Sequence, residues 1–236
     1  MPVGRWHLLP GTLCTAEVFS GFLDHLRVPV ACRIPWEISQ PSVDDYRQKF
    51  IQEIRSGDVV CGFSLGAIVA AHHADTLPAD CPLILFGINP LPDAPTRKPD
   101  RESLRNDVTQ YGGRAALANR LRDGKNAMSD DVIERILVMA EQSENLIDAQ
   151  TQLALTRPGA MDALSQSQAH IIAISGRMDQ QADPTHAVKI ANSVLRGQFA
   201  VLPDVGHYML LENAQVCANA VASAFEATFS PEKHRS

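Results

Sequence analysis

Nowhere in its 236 residues does the chain hold a long uninterrupted apolar run. Nothing approaches the roughly 18 consecutive apolar residues of a membrane span, and no apolar stretch follows a basic region at the amino terminus, so the expectation is a cytoplasmic protein that starts near Met1. Paired cysteines are also missing: Cys14, Cys32, Cys61, Cys81 and Cys217 are scattered singly, without CxxC or Cys/His spacing. That excludes a disulfide framework and a zinc site of the usual spacing, and it suits small buried thiols in a reducing compartment. Basic excess is absent too, with 21 Lys plus Arg against 27 Asp plus Glu, a formal charge of −6. Proteins that track phosphate backbones are usually strongly basic, so nucleic acid is not an expected partner. No internal repeat or low-complexity tract is visible. What remains is an ordinary globular composition, 45% hydrophobic and 20% charged, long enough for one sizeable domain.

Strand-sized apolar runs at 6–9, 28–34, 59–61 and 83–86 alternate with amphipathic stretches at about 16–27, 42–55 and 65–77. This alternation is the mark of a mostly parallel sheet flanked by helices, so the fold class is α/β. After Gly87 the pattern changes. The stretch 88–99, INPLPDAPTRKP, carries four prolines, and about 65 residues follow without a strand, with Val132, Ile136, Met139, Leu146 and Leu153 at helical spacing. Strands return at 170–175 and 198–202, with helices near 184–195 and 214–229. The expected organisation is a core of 1–90 and 169–236 interrupted by a helical insertion over 91–168.

The segment 58–71, DVVCGFSLGAIVAA, reads as strand, G-x-S-x-G and helix. A serine at the tip of such a turn needs small neighbours, which Gly62, Gly66 and Ala67 supply. A serine hydroxyl is a weak nucleophile at neutral pH, and it needs a base that is itself held by an acid. Asp179 follows the strand at 170–175 and His207 follows the one at 198–202, both where a parallel sheet delivers its loops to one edge. The order Ser64, Asp179, His207 is that of the α/β-hydrolase triad. Asp183 competes for the acid role, although it precedes Pro184 and equally suits the start of a helix. The chain has seven other histidines, His72 and His73 inside an expected helix among them; His207 is preferred because it follows the last strand. The backbone N–H groups of Thr12, in the Pro10-Gly11 loop, and of Leu65, after the serine, are the candidate oxyanion donors.

LLPGTLCTAEVF (8–19) resembles the oxyanion-loop segment of small cap-bearing esterases, GFSLGA (62–67) their nucleophile elbow, GRMDQQADP (176–184) their acid loop and Gly206-His207 their base loop. Together these motifs are similar to the α/β-hydrolase superfamily over nearly the whole chain outside the insertion, and most of all to pimeloyl-carrier-protein methyl ester esterases and comparable small carboxylesterases. Pro10-Gly11 stands where many relatives have His-Gly. The resemblance implies that the insertion forms a lid, that no metal or organic cofactor takes part, and that a serine excludes the dehalogenase and epoxide-opening chemistry of relatives with an aspartate nucleophile. It also implies a serine carboxylesterase acting on a small ester or acyl substrate.

Other readings stay open from sequence. Thioesterase, lactonase or acyl-transferase chemistry uses the same constellation, and a non-catalytic ligand-binding homologue is a reading of another class. Residues 94–127 hold eight basic side chains (Arg97, Lys98, Arg101, Arg105, Arg114, Arg120, Arg122, Lys125) and four acidic ones, net +4 against −10 for the remainder. Such a lid could draw an anionic substrate such as a carrier-protein or coenzyme A ester, although a charged segment is more often a solvated helix face. Leu117, Leu121, Ile133, Ile136 and Leu137 are candidates to line an acyl pocket or to pack on the body of the domain.

Overall fold

The structure, a computed structural model, describes residues 4–122 and 128–229. In chain order the elements are β1 (Trp6–Leu9), α1 (Ser20–His25), β2 (Arg33–Pro35), α2 (Arg47–Glu53), β3 (Val59–Phe63), α3 (Leu65–His72), β4 (Leu83–Phe86), α4 (Lys98–Tyr111), α5 (Gly113–Arg122), α6 (Asp130–Ser143), α7 (Ile147–Thr156), α8 (Met161–Gln166), β5 (Ile171–Gly176), α9 (Thr185–Ser193), β6 (Gly197–Leu202), α10 (Met209–Glu212) and α11 (Ala214–Phe229). The strands form one six-stranded sheet in the order β2-β1-β3-β4-β5-β6, parallel throughout.

The four central strands, β1, β3, β4 and β5, are buried along their whole length, as parallel strands covered on both faces must be. Their side chains alternate between two cores. Leu8, Cys61, Phe63, Ile84, Phe86 and Ile174 share one with Phe22 of α1 and Val221 of α11. Leu9, Val60, Leu83, Leu85 and Ala173 share the other with Phe50 of α2, Ala70 of α3, Leu164 of α8 and Ile190 of α9.

The edge strand β2 is three residues long where the apolar pattern suggests seven. Pro29 interrupts the run: its ring fixes φ and removes a ladder donor, and Val30–Cys32 forms a 3-10 turn instead. α3 likewise stops at His72, five residues short of the expected end, and a 3-10 turn at Ala74–Thr76 leads into Leu77, which precedes Pro78 and takes an extended conformation.

Near the amino-terminal ends of the strands a buried network pins β1 to β3. Trp36 Nε1–H donates to His7 Nδ1 (3.1 Å), which places the imidazole proton on Nε2, 3.1 Å from Asp58 Oδ2. Asp58 also accepts from the backbone and guanidinium of Arg5 and from the Arg55 N–H. Burial alone would raise the Asp58 pKa, but these donors outweigh it and hold the carboxyl at about 2. Burial likewise lowers the pKa of His7 against the pull of Asp58, which keeps the imidazole neutral.

Between β4 and β5, helices α4 to α7 pack on one another, and Leu117, Ile136 and Leu137 are buried in the same apolar cluster as Leu13 and Phe19 of the body, with Leu121 and Ile133 packed against it. α8 lies against α3 and α9 within the other core. Within the span 91–168, α8 thus packs as part of the sheet's own covering layer, and Leu153 and Ala154 of α7 join the same core. Among the described residues no helix is long and apolar enough to cross a membrane.

Candidate active site

Because all six strands run the same way, the loops after β1, β3, β4, β5 and β6 meet at the carboxyl edge of the sheet. β3 ends at Phe63, α3 starts at Leu65, and the single residue between them, Ser64, has φ +51° and ψ −114°. For a residue with a Cβ this is a strained conformation of the kind that persists at functional turns. It is held by the Ser64 N–H donating to the Phe86 carbonyl (2.9 Å). It also depends on two glycines. A Cβ on Gly62 would stand 2.4 Å from the Ala67 Cα, and one on Gly66 would stand 2.0 Å from the Leu9 carbonyl oxygen.

The structure brings Ser64, Asp179 and His207 together. His207 Nδ1 is 2.8 Å from Asp179 Oδ2, and His207 Nε2 is 3.0 Å from Ser64 Oγ. A carboxylate only accepts, so Nδ1 carries the imidazole proton and Nε2 offers its lone pair to the serine hydroxyl. The other carboxylate oxygen of Asp179 accepts from the N–H groups of Gln181 (2.8 Å) and Ala182 (2.9 Å), which fixes the carboxyl plane. Both Asp179 and His207 are buried. Phe63 packs 5.2 Å from the imidazole, and Tyr208 meets it edge-on at 5.7 Å, both between ring centroids. Gly87, with φ +58°, leaves the room the pair needs, since a Cβ there would lie 3.3 Å from the imidazole and 3.4 Å from Asp179 Oδ2. A glycine directly after a strand was the available sign of this requirement.

Asp183 is engaged elsewhere. Its Oδ1 accepts from the backbone N–H (2.9 Å) and hydroxyl (2.7 Å) of Thr185 at the start of α9, and these bonds lower its pKa. His72 and His73 bond to the carbonyls of Pro158 and Val43. As the first residue of α3, Leu65 has no intrahelical acceptor for its N–H, and the positive end of the helix lies at Ser64. The loop carrying Thr12 abuts the serine: a Cβ on Gly11 would be 3.1 Å from the Ser64 Cβ. The next residue, Leu13, has φ +53°, and its N–H donates to Gln150 Oε1 of α7 (3.0 Å). Gln150, inconspicuous in the sequence, is a polar residue of the helical segment that reaches this loop.

Much of the positive charge of that segment is matched locally. Arg101 bonds Asp93, Arg114 bonds Glu134 (2.7 Å), Arg120 bonds Asp107 (2.8 Å), and Lys98 lies 3.7 Å from Glu102. The Arg122 side chain, Asp123 and Lys125 lie outside the described residues. Among the described residues no cluster of three His, Cys, Asp or Glu side chains is arranged to hold a metal ion.

The sequence model of the alpha/beta hydrolase family matches residues 21–220, a span that includes Ser64, Asp179 and His207. The chain belongs to the alpha/beta hydrolase family. Among solved structures, this alpha/beta hydrolase is similar to a thermophilic esterase from Thermogutta terrifontis at 19% identity, with 95% of this chain and 90% of that one covered and a TM-score of 0.71. It is similar to a carboxylesterase from Nitrososphaera gargenis at 14% identity, with 95% and 92% covered and a TM-score of 0.76. It is similar also to MenH from S. aureus at 13% identity, with 96% and 95% covered and a TM-score of 0.74. At such identities the likeness is one of fold. No curated protein matches the sequence.

Proposed function

We propose that this alpha/beta hydrolase cleaves carboxylic esters through an acyl-enzyme on Ser64. The observation that carries the reading is the continuous relay from Ser64 Oγ to His207 Nε2 at 3.0 Å and from His207 Nδ1 to Asp179 Oδ2 at 2.8 Å. In it, Ser64 Oγ attacks the ester carbonyl as its proton passes to His207 Nε2, and the buried Asp179 carboxylate stabilises the resulting imidazolium. The Leu65 and Thr12 N–H groups take up the negative charge on the carbonyl oxygen, helped by the dipole of α3. His207 then hands its proton to the departing alcohol, and water repeats the sequence in reverse to free the acid and restore the serine. Helices α4 to α7 serve as the lid. The esterase neighbours of the same fold support the reading, and five free thiols suit a cytoplasmic setting.

The test is hydrolysis of p-nitrophenyl esters from acetate to octanoate, with the matching thioesters alongside, by the wild type and Ser64→Ala. We expect an early burst of one p-nitrophenolate per chain in the wild type and loss of turnover in the variant. Labelling of Ser64 by a fluorophosphonate probe without turnover of any ester would place the reactive serine in another acyl-transfer reaction. Neither labelling nor turnover would leave a binding module.

A further inference from the structure

The loop that abuts Ser64 is a turn over residues 11–14, closed by the Cys14 N–H donating to the Gly11 carbonyl (3.2 Å). The Gly11 carbonyl and the Thr12 N–H belong to one planar trans peptide and point in opposite directions. Closing the turn therefore aims the Thr12 donor outward from it. Relaxation at Leu13 would open the turn and lose the aim of the Thr12 donor, because the closing bond does not itself secure the middle peptide, between Thr12 and Leu13. Leu13 holds it with φ +53°, a third-position conformation that turns normally give to glycine and that costs a leucine free energy. Glycine is not free to replace it without loss, since the leucine side chain is wholly buried in the apolar cluster.

Something must hold the strained form, and the bond that does so comes from 137 residues further along the chain: Gln150 Oε1 accepts the Leu13 N–H at 3.0 Å. Gln150 is itself only 1% exposed. With its oxygen toward the turn, its Nε2 is buried without a partner among the described residues, a cost that a methionine or leucine filling the same space would avoid. Packing alone does not account for an amide here.

We propose that Gln150 is a positioning residue of the hydrolytic reaction, through which α7 keeps the 11–14 turn in the conformation that presents the Thr12 N–H to the developing oxyanion. The proposal rests on the ester-hydrolase reading above. It makes the helical segment part of the catalytic geometry: where α7 sits decides whether the second oxyanion donor is in place.

The experiment compares the wild type, Ser64→Ala, Gln150→Met and Gln150→Asn on one p-nitrophenyl ester, with kcat and KM measured separately and inhibition by an alkyl boronic acid as a mimic of the tetrahedral adduct. Methionine keeps the volume without an acceptor, and asparagine withdraws the acceptor by one methylene and covers the case in which the methionine variant does not fold. We expect kcat to fall about ten- to a hundredfold with KM within about twofold, and boronate affinity to fall by the same factor as kcat. Turnover that depends on Ser64 but is unchanged in the Gln150 variants, with boronate affinity intact, overturns the role of Gln150 whatever happens to Tm. Absence of Ser64-dependent turnover in the wild type overturns the ester-hydrolase reading instead.

Discussion

Asp179 and Asp183 stand four residues apart in one loop and do different work. Asp179 divides its two oxygens between an imidazole and two backbone N–H groups, while Asp183 spends its oxygen on Thr185 at the head of α9. In the proposed reaction, asparagine at 179 keeps the volume but loses the charge that would stabilise the imidazolium, and its amide favours the wrong imidazole tautomer. Asp179→Asn is thus expected to lower kcat by about 10³–10⁴-fold, whereas Asp183→Ala leaves kcat within about threefold and lowers Tm slightly. Steady-state kinetics beside thermal melts separate the two. Ser64, Asp179 and His207 were legible because each is a polar residue set among small or turn-forming ones just after an apolar run, which is how the carboxyl end of a buried strand looks in sequence. Gln150 was not. A glutamine on an amphipathic helix has no local peculiarity, and its meeting with Leu13 depends on how four helices fold back over the sheet.

At the scale of elements, β1, β4 and α11 are where their apolar patterns place them, because unbroken burial and helical periodicity leave little freedom. The shortfall of β2 followed from one proline. Less visible was the means by which β1 and β3 are aligned, since the residues concerned, Arg5 and His7, Trp36 and Asp58, come from three places and each has an ordinary surface or core reading. Asp58 carries a testable consequence. Its carboxyl is held at about 2 in the fold against ~3.9 in an unfolded chain. A lowered carboxylate pKa stabilises the fold in full above the unfolded value, and that contribution is lost as pH falls through the folded one. His7, whose pKa burial lowers, acts in the same direction below its unfolded value. Thermal melts from pH 7 to pH 2 are expected to show Asp58→Asn well below the wild type above pH ~4, with the gap closing toward pH ~2.

For the molecule as a whole, the question is how the helical segment is joined to the sheet. Arg157, just after α7, is 1% exposed at its side chain, bonds the carbonyls of Asn89 and Leu91, and lies 3.5 Å from Asp93, which Arg101 also holds. Burial lowers the pKa of this arginine to about 10, against the attraction of Asp93. Asp93→Ala leaves a buried guanidinium without its counter-charge and is expected to destabilise the fold by about 3–5 kcal/mol in urea titration, and replacing Asp93 and Arg157 together by apolar residues of similar size recovers much of the loss. The two junctions touch at a second point, where the Ala160 N–H donates to the Pro90 carbonyl (2.8 Å). A segment whose two ends lie one hydrogen bond apart closes a gap that two or three residues could span. Nearly seventy residues can thus change in length without forcing the strands apart, provided that whatever stands in for α7 still brings an acceptor to the Leu13 N–H.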